Sequence, residues 1–201
     1  LYPHPEFYRK LKNIKISIVP LTADGSFRKK IFSFNNNCGY SRNTKGIGQN
    51  WRYKEQWLMN VSWDIYIEID TVPGNIADKL IDYLFNSKSV FMPYLGHTNH
   101  VAIIKNVRLI QGKVVNSSIR KINSIFTAEE DDDISLYRDE ETILKELREP
   151  LLFTWREDLP LKYEKYCCNY VETKCFFTNA SLNISNTKNI LEADNRNLYF
   201  L

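Results

Sequence analysis

The stretch Val61–Leu109 reads VSWDIYIEIDTVPGNIADKLIDYLFNSKSVFMPYLGHTNHVAIIKNVRL and carries the clearest structural pattern in the chain. At its start, apolar residues alternate with polar ones. A period of two predicts a strand that turns one face into a core. The residues predicted to face the core are Val61, Trp63, Ile65, Ile67 and Ile69.

A helix and a second strand are predicted to follow. Pro73-Gly74-Asn75 breaks the first strand, and Asn75 is a good N-cap residue. The next apolar residues have helical spacing, and alternation resumes over Val101–Leu109. Strand, helix, loop and strand in this order form the second half of a ferredoxin-like βαββαβ fold, a common RNA-binding scaffold. We therefore expect an α+β protein. The predicted helix uses Ile76, Leu80, Ile81, Leu84 and Phe85.

The composition favours a folded protein in the cytoplasm. Hydrophobic residues make up 43% of the chain and aromatic residues 13%, which argues against disorder. No apolar run approaches the roughly 18 residues of a membrane span, and no secretory signal opens the chain. The four cysteines lack paired zinc spacing, which favours reduced thiols over a metal site or a disulfide. We expect no metal and no cofactor. The cysteines are Cys38, Cys167, Cys168 and Cys175.

Charge is unevenly distributed along the chain. Residues 1–60 carry a net charge of +8, residues 61–128 carry +2, and residues 129–201 carry −7. The basic front is therefore the candidate surface for a polyanion. The acidic run Glu129–Asp133 is expected in a solvated loop, with a docking face for a basic protein as the alternative.

Residues 20–60 form a long insertion between a predicted strand ending at Val19 and the one beginning near Val61. A structureless loop of this length is rare in a compact domain, so we expect an extended hairpin with arms near 27–34 and 49–59. The predicted organisation is a ferredoxin-like domain over 1–112, with the insertion at 20–60, and a small β-rich C-terminal portion over 113–201. The latter should contain a helix at 140–147.

Basic and aromatic residues are interleaved in this insertion. Cations neutralise phosphates and aromatic rings stack on unpaired bases, so the combination predicts single-stranded RNA as the ligand. The alternative is a basic surface loop whose rings pack on its own domain. The candidate RNA-binding residues are Arg28, Lys29, Lys30, Tyr40, Arg42, Lys45, Trp51, Arg52 and Lys54.

The loop before Val101 is a second candidate site. Gly96 permits a positive φ or a close ligand approach, and His97 and His100 could contact phosphate or base. The alternative is a turn with surface histidines. Tyr94 and Leu95 are expected to pack into the core.

Pro93-Tyr94-Leu95-Gly96, a short polar turn and Val101-Ala102-Ile103-Ile104 together resemble CRISPR-associated protein family five, of the RAMP superfamily. The preceding strand also fits, and the resemblance extends over about residues 10–180. It implies a subunit of a type I Cascade complex, most like type I-B, in which a hairpin "thumb" holds the crRNA 5′ handle. The implied partners are the crRNA, the backbone subunit of family seven, the large subunit and, through the complex, target DNA.

Two departures qualify the resemblance. His97 occupies a position where relatives often carry Arg or Lys, and a mostly neutral imidazole binds phosphate more weakly. The family's first strand and glycine-rich helix are not recognisable ahead of Glu6, so they are expected to be absent.

Two other functions compete with this binding role. One branch of the family cleaves precursor crRNA without metal, using Tyr, Lys and His. Here Tyr40 or Tyr94, Lys45 or Lys54, and His97 or His100 could serve, but spacing selects no triad. A non-catalytic role is therefore preferred. The last alternative is an assembly protein whose basic arm binds acidic partners.

Overall fold

The computed structural model describes residues 13–22, 26–38, 49–97, 99–115, 119–127, 134–136, 153–164 and 169–201. These residues form mostly β-sheet with one α-helix, which is consistent with the α+β class. The strands are β1 (Ile16–Pro20), β2 (Arg28–Cys38), β3 (Gln49–Met59), β4 (Trp63–Ile67), β5 (Lys113–Val114), β6 (Phe126–Thr127), β7 (Ile134–Leu136), β8 (Thr154–Glu164), β9 (Asn169–Thr178), β10 (Leu182–Ile184), β11 (Ile190–Ala193) and β12 (Arg196–Tyr199); a 3-10 helix covers Ile69–Thr71, and α1 covers Gly74–Phe85.

Strands β1 and β4 form an antiparallel pair in which Ile16 lies opposite Ile67 and Pro20 opposite Trp63. Both strands were predicted from the period of two. The predicted inward face of β4 is wrong at its centre, because Ile65 is 62% exposed. The opposite face of the strand, which carries Tyr66, packs on the core instead.

Helix α1 is confirmed, but its predicted cap is wrong. The helix begins at Gly74, and Pro73 occupies the N-cap position without a side-chain hydrogen bond. The Pro73 carbonyl accepts hydrogen bonds from the amides of Ile76 and Ala77, at 2.8 and 2.9 Å. The apolar side of the helix is only half-buried, and none of its residues is fully buried.

The strand predicted over Val101–Leu109 is also wrong within the described residues. A single antiparallel bridge joins Tyr94 to Val101, and residues 102–112 then run without strand pairing to a described partner. Asn106 has φ of 55°, which interrupts the pleat that alternation requires. Among the described residues from 113 to 127, the strands are the short β5 and β6.

The apolar core lies mainly in the C-terminal β-rich portion. One buried cluster joins Val115, Ile122, Phe126 and Ile134 to Leu182 and Ile190, and a second joins Val19 to Ala193, Leu198 and Phe200. Between residues 21 and 114, Val72 is the one buried apolar side chain among the described residues.

Strand β1 connects this core to the N-terminal half. The amide of Leu201 donates to the Ile16 carbonyl at 2.9 Å, and the amide of Ile125 donates to the Ile18 carbonyl at 2.8 Å. Arg196 at the start of β12 adds a side-chain link, since its Nη1 donates to Asp64 Oδ2 at 2.6 Å and to the Tyr66 hydroxyl at 3.1 Å. The end of the chain therefore shares a core with β1 and β4, through Ala193, Leu198 and Phe200.

Two observations on the described part of the chain concern its thiols and its helices. Cys175 is a buried free thiol, and burial, with a smaller contribution from Asp158, raises its pKa to about 11. Within the same residues, no helix has the length and apolarity needed to cross a membrane. The helix predicted at 140–147 and the acidic run at 129–133 lie outside the described residues.

Replacing Leu198 with Ala should lower the free energy of unfolding by about 2–5 kcal/mol, because a fully buried leucine leaves a cavity. Urea denaturation followed by circular dichroism measures this change. Leu109→Ala is the matched control, since Leu109 is 66% exposed and its replacement should change stability by less than about 0.5 kcal/mol. Equal losses in the two variants would contradict this location of the core.

Candidate nucleic-acid interface

The insertion forms the hairpin that the sequence predicted. Strands β2 and β3 pair without a bulge from Arg28 opposite Met59 to Cys38 opposite Gln49. Eleven residues per strand give a ribbon about 36 Å long. Within the described residues, β2 and β3 hydrogen-bond only to each other as a sheet. Since an isolated two-stranded ribbon is marginally stable in water, this hairpin needs side-chain packing of its own.

One face of the hairpin supplies that packing through aromatic pairs. The Phe34 ring stacks on Tyr53 across the strands at 5.2 Å between centroids, and the Phe32 ring lies 4.4 Å from Trp57. Trp57 Nε1 donates to Glu55 Oε2 at 2.7 Å. Cross-strand aromatic pairs stabilise sheets beyond the area that they bury. These half-buried rings hold the hairpin together; we call this side the aromatic face.

The opposite face is basic and exposed. Side chains alternate along a strand, so Lys29, Lys54 and Arg52 share the side away from the rings. All three are exposed. Lys54 lies opposite Ser33. Ser33 is four residues from Lys29 along β2, so the two lysines are roughly 13 Å apart along the ribbon. No acidic residue lies on this side between Lys29 and Asn35 or between Arg52 and Leu58. We call this side the basic face.

The second candidate site is a tight turn closed by backbone hydrogen bonds. The amide of Leu95 donates to the His100 carbonyl at 2.8 Å, and the amide of His100 donates to the His97 carbonyl at 2.9 Å. Gly96 has φ of +74° with no atom near its missing Cβ, so the conformation, and not crowding, requires glycine. The His97 and His100 ring centroids are 5.8 Å apart.

The structure brings the two candidate sites together. The His100 ring meets the Trp57 ring edge-on with centroids 4.3 Å apart. At the root of the hairpin, the Phe27 ring contacts Trp63 of β4 at 5.2 Å. These contacts hold the aromatic face toward the body of the protein and leave the basic face outward.

The other predicted site residues are distributed as follows. Arg28 and Lys30 are exposed on the aromatic-face side, where Lys30 Nζ lies 4.8 Å from the Phe32 ring centroid. Tyr40, Arg42 and Lys45 lie outside the described residues, and for Trp51 only the backbone, within β3, is described.

Sequence reasoning omitted Trp57 from the candidate site. The signal was available, because Tyr53, Glu55 and Trp57 are spaced by two and therefore share one side of a strand. Trp57 is the residue through which hairpin and loop meet.

A metal site needs several His, Cys, Asp or Glu side chains close together. Among the residues that the structure describes, no group of three or more His, Cys, Asp and Glu is placed to hold a metal ion. The chemistry that the described groups offer is charge neutralisation by exposed cations and hydrogen bonding by two imidazoles.

An exposed apolar surface lies next to this site, between Val90 and Val114. Phe91 is 85% exposed and Ile103 75%. Tyr94 and Leu95, which were expected in the core, are exposed as well. Residues 86–114 contain no acidic side chain. So many exposed apolar side chains within one stretch of chain favour an interaction site there. We call it the apolar loop surface; it comprises Val90, Phe91, Met92, Val101, Ile103, Ile104, Leu109, Ile110 and Val114.

Replacing Phe34 with Ala should loosen the hairpin selectively. Loss of the stacked pair, worth about 1 kcal/mol, should make the amides of β2 and β3 exchange hydrogen about fivefold faster. Amides of β12 should be unaffected. Hydrogen exchange with mass spectrometry reads both regions in one experiment. Ile31→Ala is the control, because Ile31 is 64% exposed on the basic face. An equal effect of the two variants would show that the rings do not hold the hairpin.

Comparison with known proteins adds no assignment. No family model matches the sequence, and neither curated proteins nor solved structures give a significant match.

Proposed function

We propose that this protein binds single-stranded RNA along the basic face of its hairpin. The observation that carries the proposal is the exposed row Lys29, Lys54 and Arg52, which faces away from the protein body and has no acidic neighbour on its side of the ribbon. Such a row attracts a phosphate backbone and confers little base preference.

The sequence predicted phosphate contacts by cations and base stacking by rings on the same hairpin, but the basic face lies on the side opposite the rings. Phe32, Phe34 and Tyr53 pack against one another within the hairpin, so in this proposal they stabilise the fold and do not stack on unpaired bases. No ring among the described side chains lies on the basic face, so the proposal there rests on phosphate contacts.

The resemblance to CRISPR-associated family five narrows the proposed ligand. In a ferredoxin-like Cascade subunit, the hairpin would be the thumb and the RNA would be the crRNA 5′ handle. The apolar loop surface supports assembly into a larger complex, because burial of this surface would favour association. The backbone subunit of family seven and the large subunit are the proposed protein partners.

Removing the three charges of the basic face should weaken RNA binding and flatten its salt dependence. For the combined Lys29→Gln, Arg52→Gln and Lys54→Gln variant, the slope of log K against log salt should fall by about 2, at about 0.7 per contact with a single strand. The measurement is fluorescence anisotropy with an oligo-uridine of about ten nucleotides.

A matched variant controls for net charge. Lys79→Gln, Lys174→Gln and Lys188→Gln remove three exposed cations outside the hairpin and should leave the slope unchanged. Equal slopes in the wild type and the hairpin variant would mean that the basic face does not meet phosphate. Binding of an acidic protein but not of RNA would favour the assembly alternative.

The histidine pair favours a second candidate function, a metal-independent endoribonuclease. Two imidazoles with centroids 5.8 Å apart could act as acid and base on a 2′-hydroxyl. We nevertheless propose a non-catalytic role, because His100 packs on Trp57. Incubation of the protein with precursor crRNA in EDTA should leave the RNA intact. Specific cleavage that is lost in His97→Ala would establish the enzyme instead.

A further inference from the structure

A cleft of 510 Å³ opens where the end of β1 meets the C-terminal portion. Its walls come from 19–22, 121–123, Phe153, 177–179 and Arg196. These segments are far apart in sequence, so the cleft exists only in the folded protein. Its volume falls within the range of about 300–1,000 Å³ that is usual for small-molecule sites.

The cleft has an aromatic wall. The rings of Phe153 and Phe177 lie 5.3 Å apart at an interplanar angle of 45°, and both line the space. Phe177 is 7% exposed and anchored in the core, with Phe153 packed against that cluster. A flat, apolar ligand face could therefore pack here against side chains that are already held in place.

Polar groups with unused hydrogen-bonding capacity line the same space. Asn123 accepts a hydrogen bond from the Asn197 amide at 2.9 Å through Oδ1, and its Nδ2 has no partner in the described part of the chain. The Thr22 hydroxyl is buried and also lacks a partner among the described residues. A carboxamide donor beside an aromatic wall is suited to the polar edge of a nucleobase.

The charge of the cleft is positive. Arg196 is engaged by Asp64 and Tyr66, whereas the exposed Lys121 has no ion pair within the described residues. The described lining contains no carboxylate. This arrangement favours an anionic group at the Lys121 side of the cleft.

We propose that the cleft binds a single nucleotide, with its base against Phe153 and Phe177 and its phosphate at Lys121. The nucleotide is either free or an unstacked unit of a bound strand. The cleft lies near the start of the hairpin, which suits the second source, since Pro20 in the cleft wall pairs with Trp63, and Trp63 contacts Phe27 just before β2. This site is separate from the basic face and does not depend on RNA binding there.

Isothermal titration calorimetry with uridine monophosphate, uridine and inorganic phosphate tests the proposal. Loss of one charge-assisted contact in Lys121→Gln should weaken uridine monophosphate about tenfold. Uridine affinity should change by less than about twofold, because the base wall is intact. Lys188→Gln is the matched control, since Lys188 is an exposed lysine that does not line the cleft.

Competition then distinguishes the two sources of nucleotide. Oligo-uridine should displace uridine monophosphate if the cleft takes an unstacked unit of a strand. At saturating RNA, this displacement should also occur in the triple variant of the basic face. Binding without displacement supports a free nucleotide. The proposal is overturned if uridine monophosphate does not bind, if inorganic phosphate binds equally well, or if Lys121→Gln has no more effect than Lys188→Gln.

Discussion

The hydrogen bonds along β1 are the constraint on which the described structure depends. On one side β1 pairs with β4, and on the other it bonds to Leu201 and Ile125 of the C-terminal portion. Most buried apolar residues lie in that portion, while the hairpin and the apolar loop surface lie in the N-terminal half. The five-residue strand β1 thus attaches the elements proposed for binding to the stable core. Arg196 reinforces the connection by joining β12 to Asp64 and Tyr66.

Sequence periodicity predicted those elements whose partners lie nearby in the chain. Strand β4 and helix α1 follow from local patterns of two or 3.6 residues, whereas the hairpin was expected because a structureless insertion of that length is rare. The pattern could not say which side of β4 would be covered. Ile65 lies on the open side, whereas Tyr66 is covered because Arg196, 130 residues later, reaches it. The segment after Val101 alternates well, but a strand also needs a partner, and Asn106 breaks the extended path.

The candidate site was predictable only where local sequence patterns determine it. Interleaved cations and rings identified the hairpin, yet only the register reveals that Lys29, Arg52 and Lys54 lie on one side and Phe34 and Tyr53 on the other. The contact between His100 and Trp57 joins two segments that sequence reasoning treated separately. The cleft around Lys121 could not be foreseen, because its walls come from segments separated by more than 150 residues.

The two-sided hairpin has an evolutionary consequence. Since the rings that maintain the ribbon and the cations that project from it occupy opposite sides, a substitution among the cations leaves the stacking intact. Sequence drift on the outward side therefore carries little risk of unfolding. The basic face can therefore change with a new ligand while the hairpin stays folded, whereas Trp57 and its neighbours should tolerate far less change.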